Sequence, residues 1–483
     1  MVSIKADATT HMMHLSVREW EKGNLKLKPI LCIGWFYFKS PLERDVVKST
    51  VIDGLVNKVF RYQAVPVERD GWTYWEKVED MDWEYHFGKE NSPSFNSDEK
   101  WREYLDDIVE TGLDYSKPMW KFQLIDKFPC GRSGFLMITD HTFGDGASAV
   151  TALLSLCEKT SDTNVNPVFN KRKAKPMRMF TPYETLFAFT KGIFGPLLET
   201  ILPNDRPTKL KAKHFPQAWD YSLTTPNDSM DLQLFKDIKN KIPGCTVNDV
   251  LLALTALSIK SYYKEIGEPI MDSKSDITAT YAVNIRPPGV DYLDDYWFGN
   301  HFISTSTPYP LHDTRVNTLL KFRDAGRMRK MSLDNAVRNT IVKLAAKLVP
   351  YVNRPDIMKI IADLNLKFSI MISNVLLSTE RLNLFGQEID NMQFLVMSPL
   401  GCYCGVSTYA GKVNCNVVVA KECHADPSAI SRNYKKELLA LHEEVMGLKD
   451  SKAKKLDKPL TMSPTIMAFF AGLLLLVLLR ILL

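Results

Sequence analysis

Gly134-Phe135-Leu136-Met137-Ile138-Thr139-Asp140-His141-Thr142-Phe143-Gly144-Asp145-Gly146-Ala147-Ser148-Ala149-Val150 decides how this chain is read. Gly134 to Thr139 is a short, mostly apolar run, the pattern of a strand buried on both faces. From Ala147 the small and apolar residues continue through Leu153, Leu154 and Leu156, which reads as a helix. A histidine at the end of a buried strand is held rigidly, yet it opens onto a crevice. That is where a general base is useful. The stretch points to an α/β fold with its chemistry at a strand-to-helix turn.

Working outward, Ile30 to Phe38 reads as a strand and Glu43 to Phe60 as an amphipathic helix. Val46, Val47, Val51, Ile52, Leu55, Val56 and Val59 carry its helical spacing. Tyr74-Trp75 and Met119 to Ile125 read as strands. A basic, proline-containing run, Lys171-Arg172-Lys173-Ala174-Lys175-Pro176-Met177-Arg178, then breaks the pattern. The aromatic-rich segment after it, from Phe180 to Leu202, holds glycines and Pro196, so it makes a poor spanning helix. It fits a headgroup boundary or a linker helix packed on its own domain equally well. A second domain runs from about Trp219 to Leu448. It opens with a helix from Thr246, a capping residue, to Tyr263. Thr278 to Asn284, Phe302 to Thr307, Phe368 to Ile372, Gln393 to Ser398, Gly405 to Tyr409 and Val413 to Val419 read as strands, and a last helix runs from Ser428 towards Met446.

A chain of 483 residues is long enough for two domains plus extras. A net charge of +5 and the lack of a nucleic-acid motif exclude a nucleic-acid partner. The eight cysteines are scattered. Cys402-Tyr403-Cys404 has no second pair and reads as strand, so the thiols are expected to be reduced and the chain cytosol-facing. His86, His214, His301, His312, His424 and His442 lack paired ligand spacing, and His11 and His14 lack a neighbouring cysteine or carboxylate cluster, so no metal site is expected.

Met1 to Lys22 has no apolar run and is no signal peptide. Thr465 to Leu483 is almost wholly apolar. At about 1.5 Å per residue it would make roughly 28 Å of helix, enough to cross a bilayer. Arg480 would snorkel to the far headgroups, and Lys452, Lys454, Lys455 and Lys458 would hold the bulk in the cytosol. The expected organisation is an N-terminal domain over 1–170, a linker over 171–215, a C-terminal domain over 216–450, a basic juxtamembrane linker over 451–464 and a transmembrane tail anchor over 465–483.

His-x-x-x-Asp-Gly is a modest signal alone. Other segments strengthen it: Leu113-Asp114-Tyr115-Ser116-Lys117-Pro118-Met119-Trp120 upstream, and Thr246-Val247-Asn248-Asp249, Val283-Asn284-Ile285-Arg286-Pro287, Gly299-Asn300 and Ser373-Asn374-Val375 downstream. In this order they resemble the wax ester synthase/diacylglycerol acyltransferase family over about residues 29 to 448. Two positions depart from the family pattern. Asp140 stands where the first of two histidines is usual, and Leu376-Leu377-Ser378 stands for Pro-Gly-Pro.

The resemblance implies an α/β fold of two chloramphenicol-acetyltransferase-like domains forming a central tunnel, here with the C-terminal transmembrane helix added. It implies no cofactor, with acyl-CoA as co-substrate. The acceptor would be a long-chain alcohol or diacylglycerol, with membrane lipids as neighbours. His141 would be the general base, and Asp145 a structural orienter paired with an arginine, for which Arg286 is the candidate. Gly146 would keep the tunnel open. Asn248, Asp249, Ser373 and Asn374 are candidates for contacting substrate, with helix capping the commoner role at Asn248. Acyl transfer from a thioester to a hydroxyl needs such a base, and imidazole suits it near neutral pH. No Gly-x-Ser-x-Gly elbow is present, so no acyl-enzyme is expected. The expected location is the endoplasmic reticulum membrane with the domains in the cytosol, with lipid droplet association following from the product. The alternatives are a small-alcohol acyltransferase or condensation domain of the same fold, and an inactive, membrane-tethered lipid-binding protein.

Overall fold

Two sheets carry the architecture, and the first of them is completed by a strand from the far end of the chain. The computed structural model describes residues 3–88, 92–160, 204–331 and 333–449, together with Gly192, Gly195, Pro196 and Glu199. In the N-terminal half the order is β1 (Ser3–Lys5), α1 (Ala8–Glu21), β2 (Leu31–Phe38), α2 (Arg44–Val51), β3 (Ala64–Arg69), β4 (Trp72–Lys77), α3 (Trp83–Phe87), α4 (Asp98–Thr111), β5 (Trp120–Ile125), β6 (Ser133–Asp140), α5 (Gly146–Leu156) and β7 (Glu158–Lys159). The C-terminal half continues with β8 (Trp219–Tyr221), β9 (Met230–Asp231), α6 (Leu232–Lys241), α7 (Val247–Glu265), β10 (Ile277–Asn284), β11 (Phe302–Tyr309), α8 (Arg315–Met331), α9 (Asp334–Leu348) and α10 (Arg354–Asn365). It ends with β12 (Ile370–Ser378), β13 (Leu382–Leu384), β14 (Gln387–Glu388), β15 (Asn391–Val396), β16 (Cys402–Tyr409), β17 (Lys412–Ala420) and α11 (Pro427–Met446).

The first sheet has the order β15-β2-β6-β5. Every residue of β6 is buried, so the strand is covered on both faces, as its unbroken apolar run requires. Its partners β2 and β5 run antiparallel to it, with Leu31 opposite Asp140 and Trp120 opposite Thr139. The outer strand β15 comes from the far end of the sequence and pairs antiparallel with β2. The second sheet has the order β11-β10-β12-β16-β17-β8, with β12 parallel to both of its neighbours. Its apolar core is roofed by α7, whose Val250, Leu251, Leu254, Leu257 and Ile259 are buried. Thr246 and Asp249 form a reciprocal capping box that starts this helix, an arrangement typically worth about 1 kcal/mol. The Cys402-Tyr403-Cys404 run lies on β16, buried throughout.

Three sequence expectations change. The helix expected over Glu43 to Phe60 is an α-helix only to Val51. It then loosens into a π-helical turn over Ile52–Val56. Gly54 sits in that turn where a Cβ would lie 2.1 Å from Leu156 Cδ2, so α5 can pack closely only against glycine. The strand expected over Phe368 to Ile372 instead runs Ile370–Ser378, through the Ser-Asn-Val motif. Leu376-Leu377-Ser378 lacks the prolines that would end it, and it keeps pairing with β16 across a register shift.

The third change concerns the transmembrane helix in the expected fold class. Among the described residues no helix is long and apolar enough to cross a membrane. The most apolar long helix, α7, carries Asp249, Lys260, Lys264 and Glu265, and its apolar surface is spent on the second core. The expected tail over 465–483, the basic stretch before it and most of the segment 171–203 lie outside the described residues.

Candidate active site

The turn after β6 is fixed by its own residues. Thr142 N donates to Asp140 Oδ1 at 2.7 Å, Phe143 N donates to Asp140 O, and His141 N donates to Ile30 O. Asp140 Oδ2 accepts from Tyr115 Oη at 3.0 Å. Asp140 is 1% exposed, and burial raises its carboxyl above the usual range despite these donors. The residue that departs from the family pattern thus folds the turn and ties it to the loop holding Tyr115.

His141 is half-buried at the mouth of this turn, its ring 5.4 Å from the Phe302 ring on β11. Its Nδ1 lies 3.1 Å from Asn300 Oδ1, a residue 159 positions away. Asn300 Nδ2 donates to His141 O at 2.8 Å, to Thr142 O at 3.3 Å and to Thr10 Oγ1 at 3.1 Å. Those bonds fix the amide, so its Oδ1 can only accept. The Nδ1 must then carry the proton, which leaves the Nε2 lone pair available.

Asp145 and Arg286 stand behind Asn300. Asp145 is the N-cap of α5, accepting from Ser148 N at 3.0 Å through Oδ1. Its Oδ2 accepts from Arg286 Nη1 at 2.7 Å and from His301 N at 3.0 Å. The guanidinium spends its remaining donors on Ser148 Oγ, Gly299 O and Trp297 O. The arginine side chain is 0% exposed and the aspartate 8%, so this is a buried ion pair with its hydrogen bonds satisfied. Together the two grip Gly299 and His301, the residues flanking Asn300. Gly299 approaches so closely that a Cβ would lie 2.6 Å from Asp7 Oδ2 and 2.9 Å from Arg61 Nη1. Arg61 is buried over the Trp75 ring, donates to Phe143 O at 3.0 Å, and is lowered by burial to about 10, so it stays charged at neutral pH.

The remaining expected residues spread over two places. Asn248 Oδ1 accepts from Asn374 Nδ2 at 3.0 Å, which brings two motif segments together on an exposed surface. The cap of α7 is Thr246 rather than Asn248, and the Asp249 carboxylate accepts from Thr246 N and Oγ1. Ser373 and Asn374 are neighbours on a strand, so their side chains point to opposite faces. Met371 and Val375, in step with Ser373, pack on the first core, whereas Ile370 and Ile372, in step with Asn374, pack on the second. Gly146 is exposed, and a Cβ there would meet only Val375 Cγ2, at an ordinary 3.7 Å. The Gly146–Val375 approach marks where α5 of the first half meets β12 of the second.

Asp7, Thr10 and Arg61 belong to this frame and carry no motif that sequence reading could find. Asn300 is marked in the sequence only as half of Gly299-Asn300. Among the described residues no group of histidine, cysteine or acidic side chains could hold a metal ion.

Two family models match the chain. The wax ester synthase/diacylglycerol acyltransferase catalytic domain covers residues 49–196, and the WS/DGAT C-terminal domain covers 298–442. The first takes in His141, Asp145 and Gly146, and the second Asn300, Ser373 and Asn374. Wax ester synthase/diacylglycerol acyltransferase 11 of Arabidopsis thaliana is 23% identical over 405 residues, 76% of this chain and 79% of that one. O-acyltransferase WSD of Acinetobacter baylyi is 22% identical over 258 residues, 49% of this chain and 56% of that one. Among solved structures, the wax ester synthase/diacylglycerol acyltransferase of Marinobacter aquaeolei VT8 aligns with a TM-score of 0.58 at 17% identity, covering 92% of this chain and all of that one. The first condensation domain of the calcium-dependent antibiotic synthetase aligns at 0.57 and 11% identity, covering 96% and 99%. The two-domain, chloramphenicol-acetyltransferase-like α/β architecture is common ground.

Proposed function

We propose, for a chain that belongs to the wax ester synthase/diacylglycerol acyltransferase family, that it transfers a fatty acyl group from acyl-CoA to a long-chain alcohol or to diacylglycerol. His141 is the general base. Its Nε2 takes the proton of the acceptor hydroxyl as the oxygen attacks the thioester carbonyl carbon. The tetrahedral intermediate collapses with cleavage of the carbon–sulfur bond, and the imidazolium returns the proton to the departing thiolate. The acyl group passes directly from sulfur to oxygen, and the ester and free CoA leave. Ser373, on the β12 face that meets the first half, is the donor assigned to the oxyanion.

The observation that supports this reading best is the contact between His141 Nδ1 and Asn300 Oδ1. It sets the tautomer that a base acting through Nε2 requires. Asp145 and Arg286 act through Asn300 and are positioning residues.

The test is an acyl-transfer assay with labelled palmitoyl-CoA and either a long-chain alcohol or diacylglycerol, with His141→Ala as control. Ester formation that falls by at least 10²-fold in the variant supports the assignment. Equal activity in the two proteins removes His141 from the chemistry. Comparing the acceptors names the lipid.

A further inference from the structure

The pair α9 and α10, with the turn between them, carries an apolar face that packs on nothing among the described residues. On α9, Val342, Ala345 and Ala346 point inwards, as does Val349 just after it, the last two fully buried. Ile341, Leu344 and Leu348 recur at i, i+3 and i+7, so they form one stripe beside the inward face. Their exposures of 41%, 54% and 58% show that no element among the described residues covers it. The stripe runs on into the turn, where Tyr351 is 85% exposed and Val352 stands beside it. On α10, Ile360 is also exposed. A soluble surface scatters such residues singly, and a contiguous run of them marks an interaction site.

The charges beside the face indicate what covers it. Between Ile341 and Ile360 there are four cations, Lys343, Lys347, Arg354 and Lys359, against one anion, Asp356. Arg354 pairs with Glu68, and Asp356 accepts from Asn353. Lys343, Lys347 and Lys359 are exposed and have no ion-pair partner among the described residues. Lysines flanking an apolar stripe, with an aromatic ring at its end, match the boundary of a bilayer, where the ring sits among headgroups and the ammoniums meet phosphates.

The position also fits. Thr305 of β11 donates to Asp334 at the start of α9, while Phe302 of the same strand lies against His141. Three strand residues and seven helix residues separate the catalytic ring from the start of the stripe, a path on the order of 20 Å. We infer that this face of α9, α10 and their turn docks the enzyme on an anionic lipid bilayer surface, with the substrate crevice a chain length away.

The inference does not depend on the chemistry assigned to His141, and its test reads the surface directly. The full chain is incubated with vesicles of phosphatidylcholine and phosphatidylserine at about 7:3, or of phosphatidylcholine alone, and amide hydrogen exchange is followed across residues 339–362. Exchange in the turn around Tyr351 should slow at least tenfold on the anionic vesicles and far less on the neutral ones. Each lysine near an anionic surface strengthens partition roughly fivefold, so K343Q/K347Q/K359Q should weaken this docking on the order of a hundredfold and abolish the slowing, with Tm unchanged. Three results would overturn the inference. Exchange could stay fast in protein that floats with the vesicles. The face could already be protected without vesicles, which would assign it to another segment of the chain. Protection could instead rise with protein concentration alone, which would assign it to a second copy.

Discussion

Arg286→Met tests the frame behind His141 most severely. The substitution keeps much of the side-chain volume and removes every donor. The Asp145 carboxylate is then left buried with two backbone donors, Ser148 N and His301 N, and no cation. Breaking a buried pair by removing one partner costs about 3–5 kcal/mol. Unfolding entropy near 2.1 cal/mol/K per residue gives roughly 1 kcal/mol/K for 483 residues unfolding together, so Tm should fall by about 3–5 °C. The same change removes the arginine's bonds to Trp297 O and Gly299 O, leaving Gly299 O with Asp145 N and Ser148 Oγ alone, so the strip carrying Asn300 loosens and His141 loses its fixed tautomer. Transfer should therefore drop in kcat by about 10²-fold while KM for acyl-CoA stays within a few-fold. Adding Asp145→Asn removes the stranded charge and should recover at least half of the lost Tm without recovering kcat. Thermal unfolding followed by tryptophan fluorescence and steady-state transfer assays read both. If the single variant keeps its Tm within 1 °C, or the double variant is no more stable than the single, the pair does not carry the charge balance argued here.

Asn300→Ala should lower kcat by about 10²–10³-fold, because nothing else among the described residues holds the His141 Nδ1 proton, and pulling the pH–rate profile out of shape is the signature that distinguishes this from simple unfolding. Gly299→Ala places a methyl group 2.6 Å from Asp7 Oδ2 and should destabilise the protein by about 1–3 kcal/mol, whereas Gly146→Ala meets only Val375 and should keep Tm and transfer within a few-fold; parallel melts and assays decide. Burial lowers His14 to about 3 and His11 to about 4, so both are neutral in the folded protein. The stability this gives is complete above the unfolded value near 6.5 and is lost as pH falls from there towards 4. At pH 5 each should have surrendered about 2 kcal/mol, and His14→Met should flatten the dependence of Tm on pH between 7.5 and 5.

The parts of this site that can be read in the sequence are those built locally. An unbroken apolar run, a histidine and a helix start lie within one short stretch, and the period of the apolar residues names each element. Thr246 signals a helix cap that is there, whereas the part of Asp249 in it shows only in the structure. The rest depends on contacts between distant positions. Nothing local to Asn300 says that it will meet His141, and Asp7 looks like any helix cap until its second oxygen accepts from Asn300 N. The strand at Asn391–Val396 has the composition of any second-domain strand, yet it joins the first sheet. The change of fate at Leu376-Leu377-Ser378, from loop to strand, follows from the absence of proline once β16 is there to pair with.

One consequence of the His141–Asn300 contact concerns time rather than geometry. The two residues are separated by 159 positions, and the first sheet is closed by a strand that begins only at Asn391. A ribosome adding about 5–20 residues per second makes the histidine roughly 8–30 s before its orienting partner, and the closing strand later still. Until then the nascent first half has a histidine with an unset tautomer and a bare edge on β2. The frame around His141 is thus completed only near the end of the protein's own synthesis, and a fragment released early lacks it.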